Sequence, residues 1–444
     1  MKILVLGSDG RAHALVWKLF HHTSADVLVA PGNGGASLLA PVVELDATNA
    51  VAIARWAFSE QIDLIVPADT TALAAGLVDE VVAMHIGVCG PALRATRLET
   101  SRCSARAFLE RHGLPLAPGR VCEDLATAEK YLAAHALPVM IRADQLEDGA
   151  GIYTERYAAL EGLRASYANR SVAGPEAGVV IENYLPGPTF SFTVLTDGST
   201  AVPLLPVHTY DRLGPEPASP HAPGMGAATG NSTYAQKLGH FLHTRIMQPL
   251  VAALTLDQIP YWGFLGIDGI ITQKGPIITG LRCSLRDMEA QTVLPRLDDD
   301  LEPLIEATIA RRLDQIAPLR WKDEASVALA LVTMGYPHHY PAGAPIAGLS
   351  ELDEGILVFH DQTRHPAGLQ HAPAQPHRGL ATLFTGNNPG LSGRPTITGG
   401  HVLTVVAMGA TLAGARGRAL LNAERITFPG RTYREDIGLH LFQA

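Results

Sequence analysis

The first hundred residues alternate short apolar runs with helical repeats, and this alternation restricts the fold more than any other feature of the sequence. The run Ile3–Leu6 is apolar throughout and ends at Gly7, as expected of a buried parallel strand. Apolar residues then recur at helical spacing over 12–20, before a second apolar run at Val27–Ala30. This pattern predicts a doubly wound α/β domain with a parallel sheet. Ligands bind such sheets at the carboxyl ends of the strands.

The pattern becomes mixed in the rest of the chain. Apolar runs at Val139–Ala143, Val179–Glu182 and Phe190–Leu195 predict further strands, and the Gly- and Pro-rich stretch Gly214–Gly230 predicts a loop. Strand-like runs recur beyond residue 326. The 444 residues are enough for two to four domains at roughly 100–200 residues each. The sequence therefore predicts a multidomain chain of the α/β and α+β classes.

Charge and cysteine content exclude several classes of protein. The chain has 34 Lys and Arg against 43 Asp and Glu, a net charge of −9, which disfavours binding to nucleic acid or to an anionic membrane. Its four cysteines show no C-x-x-C spacing, so no zinc ribbon, redox pair or disulfide framework is expected. The first apolar run is too short for a signal peptide or a membrane span. We therefore expect a cytoplasmic protein that binds neither nucleic acid nor membranes.

Two glycines, Gly7 and Gly10, separate the first predicted strand from the first predicted helix. Free backbone N–H groups at a helix N-terminus bind phosphate, and Arg11 and His13 on the next turn would add positive charge. The full G-x-G-x-x-G motif is absent, which makes a dinucleotide site unlikely here. A tight turn with a solvent-facing Arg11 and a packed His13 explains the same residues. Both interpretations are open on this evidence.

Motifs over nearly the whole chain resemble those of one family. In chain order they are Gly7-Ser8-Asp9-Gly10-Arg11-Ala12-His13-Ala14-Leu15, Ala30-Pro31-Gly32-Asn33, Gly90-Pro91, Leu98–Arg102, Pro138–Asp144, Val180–Leu185 and Pro220–Ala227. The series continues with Cys283, Asp287, Glu289 and Gln291, then Gly335-Tyr336-Pro337, Val358-Phe359-His360 and Thr398-Gly399-Gly400. Their order is similar to that of the phosphoribosylamine–glycine ligases, the glycinamide ribonucleotide synthetases of purine biosynthesis.

The resemblance implies three domains and a reaction. A phosphosugar-binding α/β domain would span 1–101, an ATP-grasp core 102–325 with a lid subdomain at about 121–188, and a β-rich C-terminal domain 326–444. In the family, with ATP and Mg²⁺ as cofactors, the carboxylate of glycine is phosphorylated, and the amine of phosphoribosylamine attacks the acyl phosphate. This chemistry needs fixed cations near the phosphates and a lid that excludes water. A phosphosugar amine and an amino acid are the implied small-molecule partners, and a protein partner from the same pathway stays open.

The resemblance also implies residue roles. Substrate contacts fall on Gly10, Arg11, His13, Pro31, Gly32, Asn33, Arg212, Gly224, Met225 and Gly226. Cofactor contacts fall on Arg102, Arg142, Glu182, Tyr184 and Leu185. Catalytic roles fall on Arg282, Asp287 and Glu289, with the Arg282 guanidinium able to neutralise phosphoryl oxygens.

Several positions that handle ATP in the family carry different residues here. The lid motif A-A-G-K-G-V corresponds to 147–152, which places Ala150 at its lysine, and two further lysines correspond to Arg102 and Arg142. The family's metal-ligand Glu and Asn correspond to Gly280 and Arg282, so no metal ligand is predicted there, because a fixed cation repels Mg²⁺.

Other changes lie near the substrates. The motif D-H-K-R corresponds to Thr209-Tyr210-Asp211-Arg212, and the ribose-binding G-E-E to Gly187-Pro188-Thr189. Two functions are therefore open. The first is an ATP-dependent ligase of the family type, in purine biosynthesis or a related specialised pathway. The second is a divergent paralogue without Mg·ATP chemistry that binds a phosphoribosyl compound or a nucleotide, as a pseudoenzyme, a regulatory subunit or an ATP-independent enzyme.

Overall fold

The computed structural model describes residues 1–22, 25–145, 150–168, 178–216, 219–365 and 393–439. The helices of the first half are α1 Gly10–His22, α2 Ala50–Ser59, α3 Thr71–Ala74, α4 Leu77–Val81, α5 Leu93–Thr100, α6 Arg102–Arg111, α7 Leu125–Ala134 and α8 Arg156–Ala168. Those of the second half are α9 Thr233–Leu242, α10 Gln248–Leu256, α11 Glu289–Val293, α12 Leu301–Ile309 and α13 Leu412–Arg425. In the described part of the chain, no helix is long and apolar enough to cross a membrane.

A four-stranded parallel sheet forms the N-terminal region, as the alternation of strands and helices predicts. Its order is β2-β1-β3-β4, with β1 Lys2–Gly7, β2 Asp26–Pro31, β3 Leu64–Pro67 and β4 Gly87–Val88. Because all four strands run in one direction, their carboxyl ends lie at one edge, where the N–H of Gly32 donates to the carbonyl of Gly7 at 3.0 Å. Helix α1 begins at this edge, directly after β1.

A second four-stranded sheet overlaps the range of the predicted lid and begins two residues before it, and we call it the lid sheet. Its order is β5-β8-β6-β7, with β5 Gly119–Cys122, β6 Val139–Ala143, β7 Ala150–Tyr153 and β8 Val179–Asn183. Buried residues of α7 and α8, among them Leu132 and Leu163, pack on it in a small core of their own. Glu147 and Asp148, beside the altered lid position, lie outside the described residues, as does the side chain of Ala150.

The largest sheet has ten strands and runs through the second half of the chain. Its main path is β14-β13-β9-β11-β12-β15-β19-β16, with β10 on β9 and β20 on β15. The strands are β9 Thr189–Thr196, β10 Ala201–Pro203, β11 Val207–Arg212, β12 His221–Thr229, β13 Gly263–Thr272, β14 Gly275–Arg282, β15 Ala325–Thr333, β16 Leu357–His360, β19 His401–Gly409 and β20 Arg431–Thr432. A separate two-stranded ribbon pairs β17 Thr363–Arg364 with β18 Thr396–Ile397. In the chain, β17 follows β16 and β18 precedes β19.

Strand β12 corrects one prediction, because it lies within the predicted loop Gly214–Gly230. It is antiparallel to β11 on one side and to β15 on the other. Two flanking strands supply partners for its backbone groups, so pairing outweighs the low strand propensity of its glycines. The β12–β15 pairing also makes the sheet continuous across residue 325.

Candidate active site

Two arginines at the end of β14 lie in an alternating chain of charges. The carboxylate of Asp268 on β13 is 2.9 Å from Nε of Arg282 and 2.6 Å from Nη1 of Arg286. Arg282 also lies 3.3 Å from Glu99 at the end of α5, and Arg286 lies 2.6 Å from Asp211 on β11. We call Glu99, Arg282, Asp268, Arg286 and Asp211 the arginine–carboxylate chain.

The members of this chain stabilise one another in their charged forms. Burial would raise the pKa of Asp268, but the guanidinium groups of Arg282 and Arg286 outweigh burial and lower it. Asp268 in turn raises the pKa of Arg282. For Arg286, burial opposes the charge, and the carboxylates of Asp211 and Asp268 outweigh it and raise the pKa. The cluster therefore fixes two guanidinium groups among three carboxylates, which neutralise their charge.

The two positions that hold a metal in the family do not fit Mg²⁺ here. Gly280 offers no ligand, and a Cβ placed on it would lie 3.8 Å from Oδ2 of Asp268. The second position is the guanidinium of Arg282, and both oxygens of Asp268 are already paired with arginines. Mg²⁺ needs a set of oxygen ligands, and a fixed cation beside it is repulsive. This position therefore carries a guanidinium paired with carboxylates where the family has a metal ligand.

Arg142 connects the lid sheet to the large sheet. From β6, its Nη1 donates to the carbonyl of Thr279 on β14 at 2.8 Å. Its Nε lies 3.2 Å from Oε1 of Glu182 on β8, whose other oxygen accepts from Arg106 at 2.9 Å. One side chain thus spans the cleft between the two sheets, next to Gly280.

The other predicted cofactor residues border the same cleft. Arg102 donates through Nη1 to the carbonyls of Ala143 and Gln145, at 2.8 and 2.9 Å, so its guanidinium holds the end of β6. Tyr184 and Leu185 follow β8 and are half-buried. The structure brings all five predicted cofactor residues to the lid sheet or its edge, and their contacts with a nucleotide stay a prediction.

The N-terminus of α1 differs from the predicted phosphate site. The N–H of Gly10 donates to Oδ2 of Asp361 at 3.1 Å, and those of Arg11 and Ala12 donate to Oδ1 of Asp9 at 2.9 and 3.2 Å. Arg11 also pairs with Asp9, with Nε 2.7 Å from Oδ2. Carboxylates of the chain itself therefore occupy the amides that a phosphate would need. Burial raises the pKa of Asp9 to about 6, against the opposing effect of Arg11.

His13 and Asn33, both predicted substrate contacts, make hydrogen bonds that hold neighbouring segments, and their contacts with a substrate stay a prediction. His13 is fully buried, accepts the N–H of His360 on Nδ1 at 2.8 Å, and has a pKa lowered by burial to about 3. The amide of Asn33 donates to the carbonyls of Ser8, Asp9 and His360, which ties three loops together. Pro31 and Gly32 remain half-buried at the same edge.

Of the remaining predicted substrate residues, Gly224 lies against Asp287. Its φ is +69°, and a Cβ on it would lie 2.7 Å from Oδ2 of Asp287, so glycine is needed here. Met225 is buried, and a Cβ on Gly226 would lie 2.6 Å from Ile437, so both belong to the packing. Arg212 donates to the carbonyl of Ser219 at 2.8 Å.

The two predicted catalytic carboxylates differ in environment. Asp287 is half-buried, and its Oδ1 accepts from the N–H of Met288 at 2.9 Å and from Nε2 of Gln291 at 2.7 Å. Burial would raise its pKa, but His401 and Arg11 outweigh burial and lower it. Glu289 is fully buried, accepts from Oγ of Ser191 at 2.7 Å, and has a pKa raised by burial to about 6.

Sequence reasoning missed most partners of these residues. It singled out Arg282 but not Asp268 or Arg286, and Gly10 but not Asp361 or His401. One signal was present: relative to the family motifs, position 211 changes from lysine to aspartate and position 286 from glycine to arginine. This exchange of charge predicts a contact, and Arg286 and Asp211 do pair at 2.6 Å.

Models of one protein family match three consecutive regions of the chain. The phosphoribosylglycinamide synthetase N domain matches residues 1–99, its ATP-grasp (A) domain 100–290 and its C domain 326–440. The phosphoribosylamine–glycine ligase of Mesorhizobium japonicum is 32% identical over 99% of this chain and 98% of its own length. The trifunctional purine biosynthetic protein adenosine-3 of Gallus gallus is 30% identical, and the match spans 42% of that longer protein.

Solved structures agree on the fold. The phosphoribosylamine–glycine ligase of Thermotoga maritima has a TM-score of 0.76 at 22% identity, covering 98% of this chain and 100% of that one. The N5-carboxyaminoimidazole synthase of Aspergillus clavatus, in complex with ADP and an aminoimidazole ribonucleotide, has a TM-score of 0.62 at 14% identity, covering 95% and 98%. With three consecutive domains matched, the chain belongs to the phosphoribosylglycinamide synthetase family.

Proposed function

We propose that this chain is an ATP-dependent carboxylate–amine ligase of the phosphoribosylamine–glycine ligase type. ATP supplies the phosphoryl group that activates a carboxylate as an acyl phosphate, which an amine then displaces. The observation that carries this proposal is the Arg142 side chain, which spans the cleft from the lid sheet to β14. A lid held to the large sheet in this way excludes water from a reactive acyl phosphate.

The charged residues of the cleft explain how phosphoryl groups would be bound. Arg142, Arg282 and Arg286 place guanidinium groups along it, and such groups bind phosphoryl oxygens with two donors at once. Because the family's metal positions do not fit Mg²⁺ in this chain, no step is assigned to a metal ion there. The arginine–carboxylate chain places two guanidinium groups there, each paired with carboxylates.

The pocket beside α1 would hold the amine substrate. Asp287 stays ionised and half-buried there, so it accepts hydrogen bonds from an incoming amine. Glu289 lies behind it, where it accepts from the backbone N–H of Arg286 at 3.4 Å and acts as a positioning residue. The proposal also includes a phosphosugar amine and an amino acid as substrates. It includes a cytoplasmic location and domain boundaries after residues 101 and 325.

The test is ADP release by the full-length protein, with phosphoribosylamine generated in situ, glycine and ATP. We expect release that needs both substrates and that falls at least tenfold in Arg142→Ala. Arg164→Ala is the matched control and should keep full activity, because it removes only an exposed ion pair between Arg164 on α8 and Glu129 on α7. Assays with and without Mg²⁺ measure how far the arginines suffice.

A lack of ADP release would contradict the proposed ligase activity. If no ADP appears with any small amino acid, and ATP does not raise the melting temperature, the cleft no longer binds ATP productively. The chain would then be the divergent paralogue without ATP chemistry.

A further inference from the structure

Three ligand-type side chains from distant segments meet in the pocket beside α1. They are Asp287 before α11, Asp361 after β16 and His401 at the start of β19, and one ligand atom of each lies within 4.8 Å of the others. Asp361 and His401 are each 4% exposed, whereas Asp287 is half-buried and opens the cluster to the pocket. A small ion can therefore enter on the Asp287 side.

Neighbouring groups hold each of the three in a fixed orientation. Nε2 of His401 donates to the carbonyl of Gly224 at 3.0 Å, which turns Nδ1 towards the carboxylates. Asp361 accepts the N–H of Gly10, and Asp287 accepts from Gln291. Metal-bound histidines are held in the same manner, with the second ring nitrogen donating to a carbonyl or carboxylate.

Two buried polar atoms in or beside the cluster have no hydrogen-bond partner within the described part of the chain. Nδ1 of His401 lies 3.2 Å from Oδ2 of Asp361, yet it makes no hydrogen bond of good geometry among the described residues. The Oε1 atom of Gln291, a fully buried side chain beside Asp287, likewise has no partner there. With Nε2 donating, Nδ1 and the carboxylate oxygens face one another, so either a proton on Nδ1 or a metal ion lies between them.

We propose that Asp287, Asp361 and His401 form a binding site for a divalent cation such as Zn²⁺ or Mn²⁺. Imidazole combined with carboxylates suits these ions better than it suits Mg²⁺. The site is separate from the positions at Gly280 and Arg282. The first backbone N–H groups of α1 already donate to carboxylates of the protein. A cation at this site would offer an anionic substrate group positive charge beside that helix end.

Direct metal binding tests this without reference to ligase activity. The full-length protein is treated with a chelator, dialysed and titrated calorimetrically with Zn²⁺ or Mn²⁺, in the absence of ATP and substrates. We expect one ion per chain, and an affinity at least tenfold weaker in His401→Gln and in Asp361→Asn. His112→Gln is the matched control, because His112 lies 3.1 Å from Asp257 with no third ligand among the described residues, and it should bind metal like the wild type.

Two further measurements keep the result decisive. If the buried variants fail to fold, Asp287→Asn at the half-buried rim replaces them, and Co²⁺ absorption of the wild type reports histidine and carboxylate ligation directly. Absence of binding by the wild type, or unchanged binding in His401→Gln or Asp287→Asn, overturns the proposal. A proton on His401 then fills the space. Loss of ligase activity with metal binding intact would count against the proposed function alone.

Discussion

Arg282 lies between Glu99 and Asp268, at a position where the resembling family carries an asparagine. A change from amide to guanidinium at this half-buried position needs new carboxylate partners, because an unpaired charge shielded from water is costly. Asp268 and Glu99 are such partners, and Arg286 shares Asp268. A single substitution at this position is therefore part of a correlated set.

Removing Arg282 should destabilise the fold through those partners. In Arg282→Ala, Glu99 loses its guanidinium and Asp268 keeps only Arg286, so we expect a loss of about 1–3 kcal/mol in the free energy of unfolding. Urea denaturation measures this. Arg320→Ala, which removes a largely exposed pair with Asp299, should cost less than about 1 kcal/mol. Equal losses in the two variants would contradict this account of the cluster.

His13 predicts how stability depends on acidity. Its folded pKa is about 3 because of burial, below the ordinary 6.5, so between these values the unfolded chain binds a proton that the folded chain does not. Stability should therefore fall as the pH drops from 6.5 towards 3, by up to about 1.4 kcal/mol per pH unit for this group. In His13→Gln, denaturation at pH 4 to 6 should show a shallower slope. An unchanged slope would show that His13 does not titrate in this way.

At the scale of elements, the lid sheet depends on few links to the large sheet. Arg142 is one of them, joining β6 to β14 through the carbonyl of Thr279. The lid sheet otherwise has its own small core, built from residues such as Leu132, Leu163 and Ile181. An element of this kind can open as a unit when a few polar contacts are lost.

Replacing Arg142 should therefore change nucleotide binding more than global stability. In Arg142→Ala we expect the KM for ATP to rise at least tenfold, while the midpoint of thermal unfolding moves by only a few degrees. Steady-state kinetics and calorimetry give the two numbers. A fall in kcat with unchanged KM would instead indicate that the guanidinium acts on the transition state alone.

The local sequence pattern was enough to predict the strands and helices that form from their own apolar periodicity. The run Ile3–Leu6 becomes β1 and the helical repeat over 12–20 becomes α1, because each is set by its own apolar periodicity. Strand β12 was missed because its pairing with β11 and β15 involves residues up to about a hundred positions away. The same holds for the site: Asp361 and His401 reach Gly10 and Gly224 across spans that no window of sequence contains.

For the whole molecule, the continuous large sheet predicts that the region before residue 325 does not fold without the domain that follows it. A protein ending at Glu324 would lack β15 and leave β12 with one unpaired side, which promotes aggregation. We expect it to be insoluble when expressed alone and to be recovered as a complex when 325–444 is co-expressed. Light scattering and soluble yield measure this. A soluble monomer of 1–324 that unfolds cooperatively would contradict the prediction.

The contacts around α1 also determine when this region can complete its folding during synthesis. Gly10 receives its acceptor from Asp361, 351 residues later, and His13 and Asn33 both bond to His360. At about 5–20 residues per second, a ribosome takes roughly 20–70 s to cover that interval. The beginning of the chain therefore emerges long before the groups that complete its pocket, and the nascent protein gains its substrate site only near the end of synthesis.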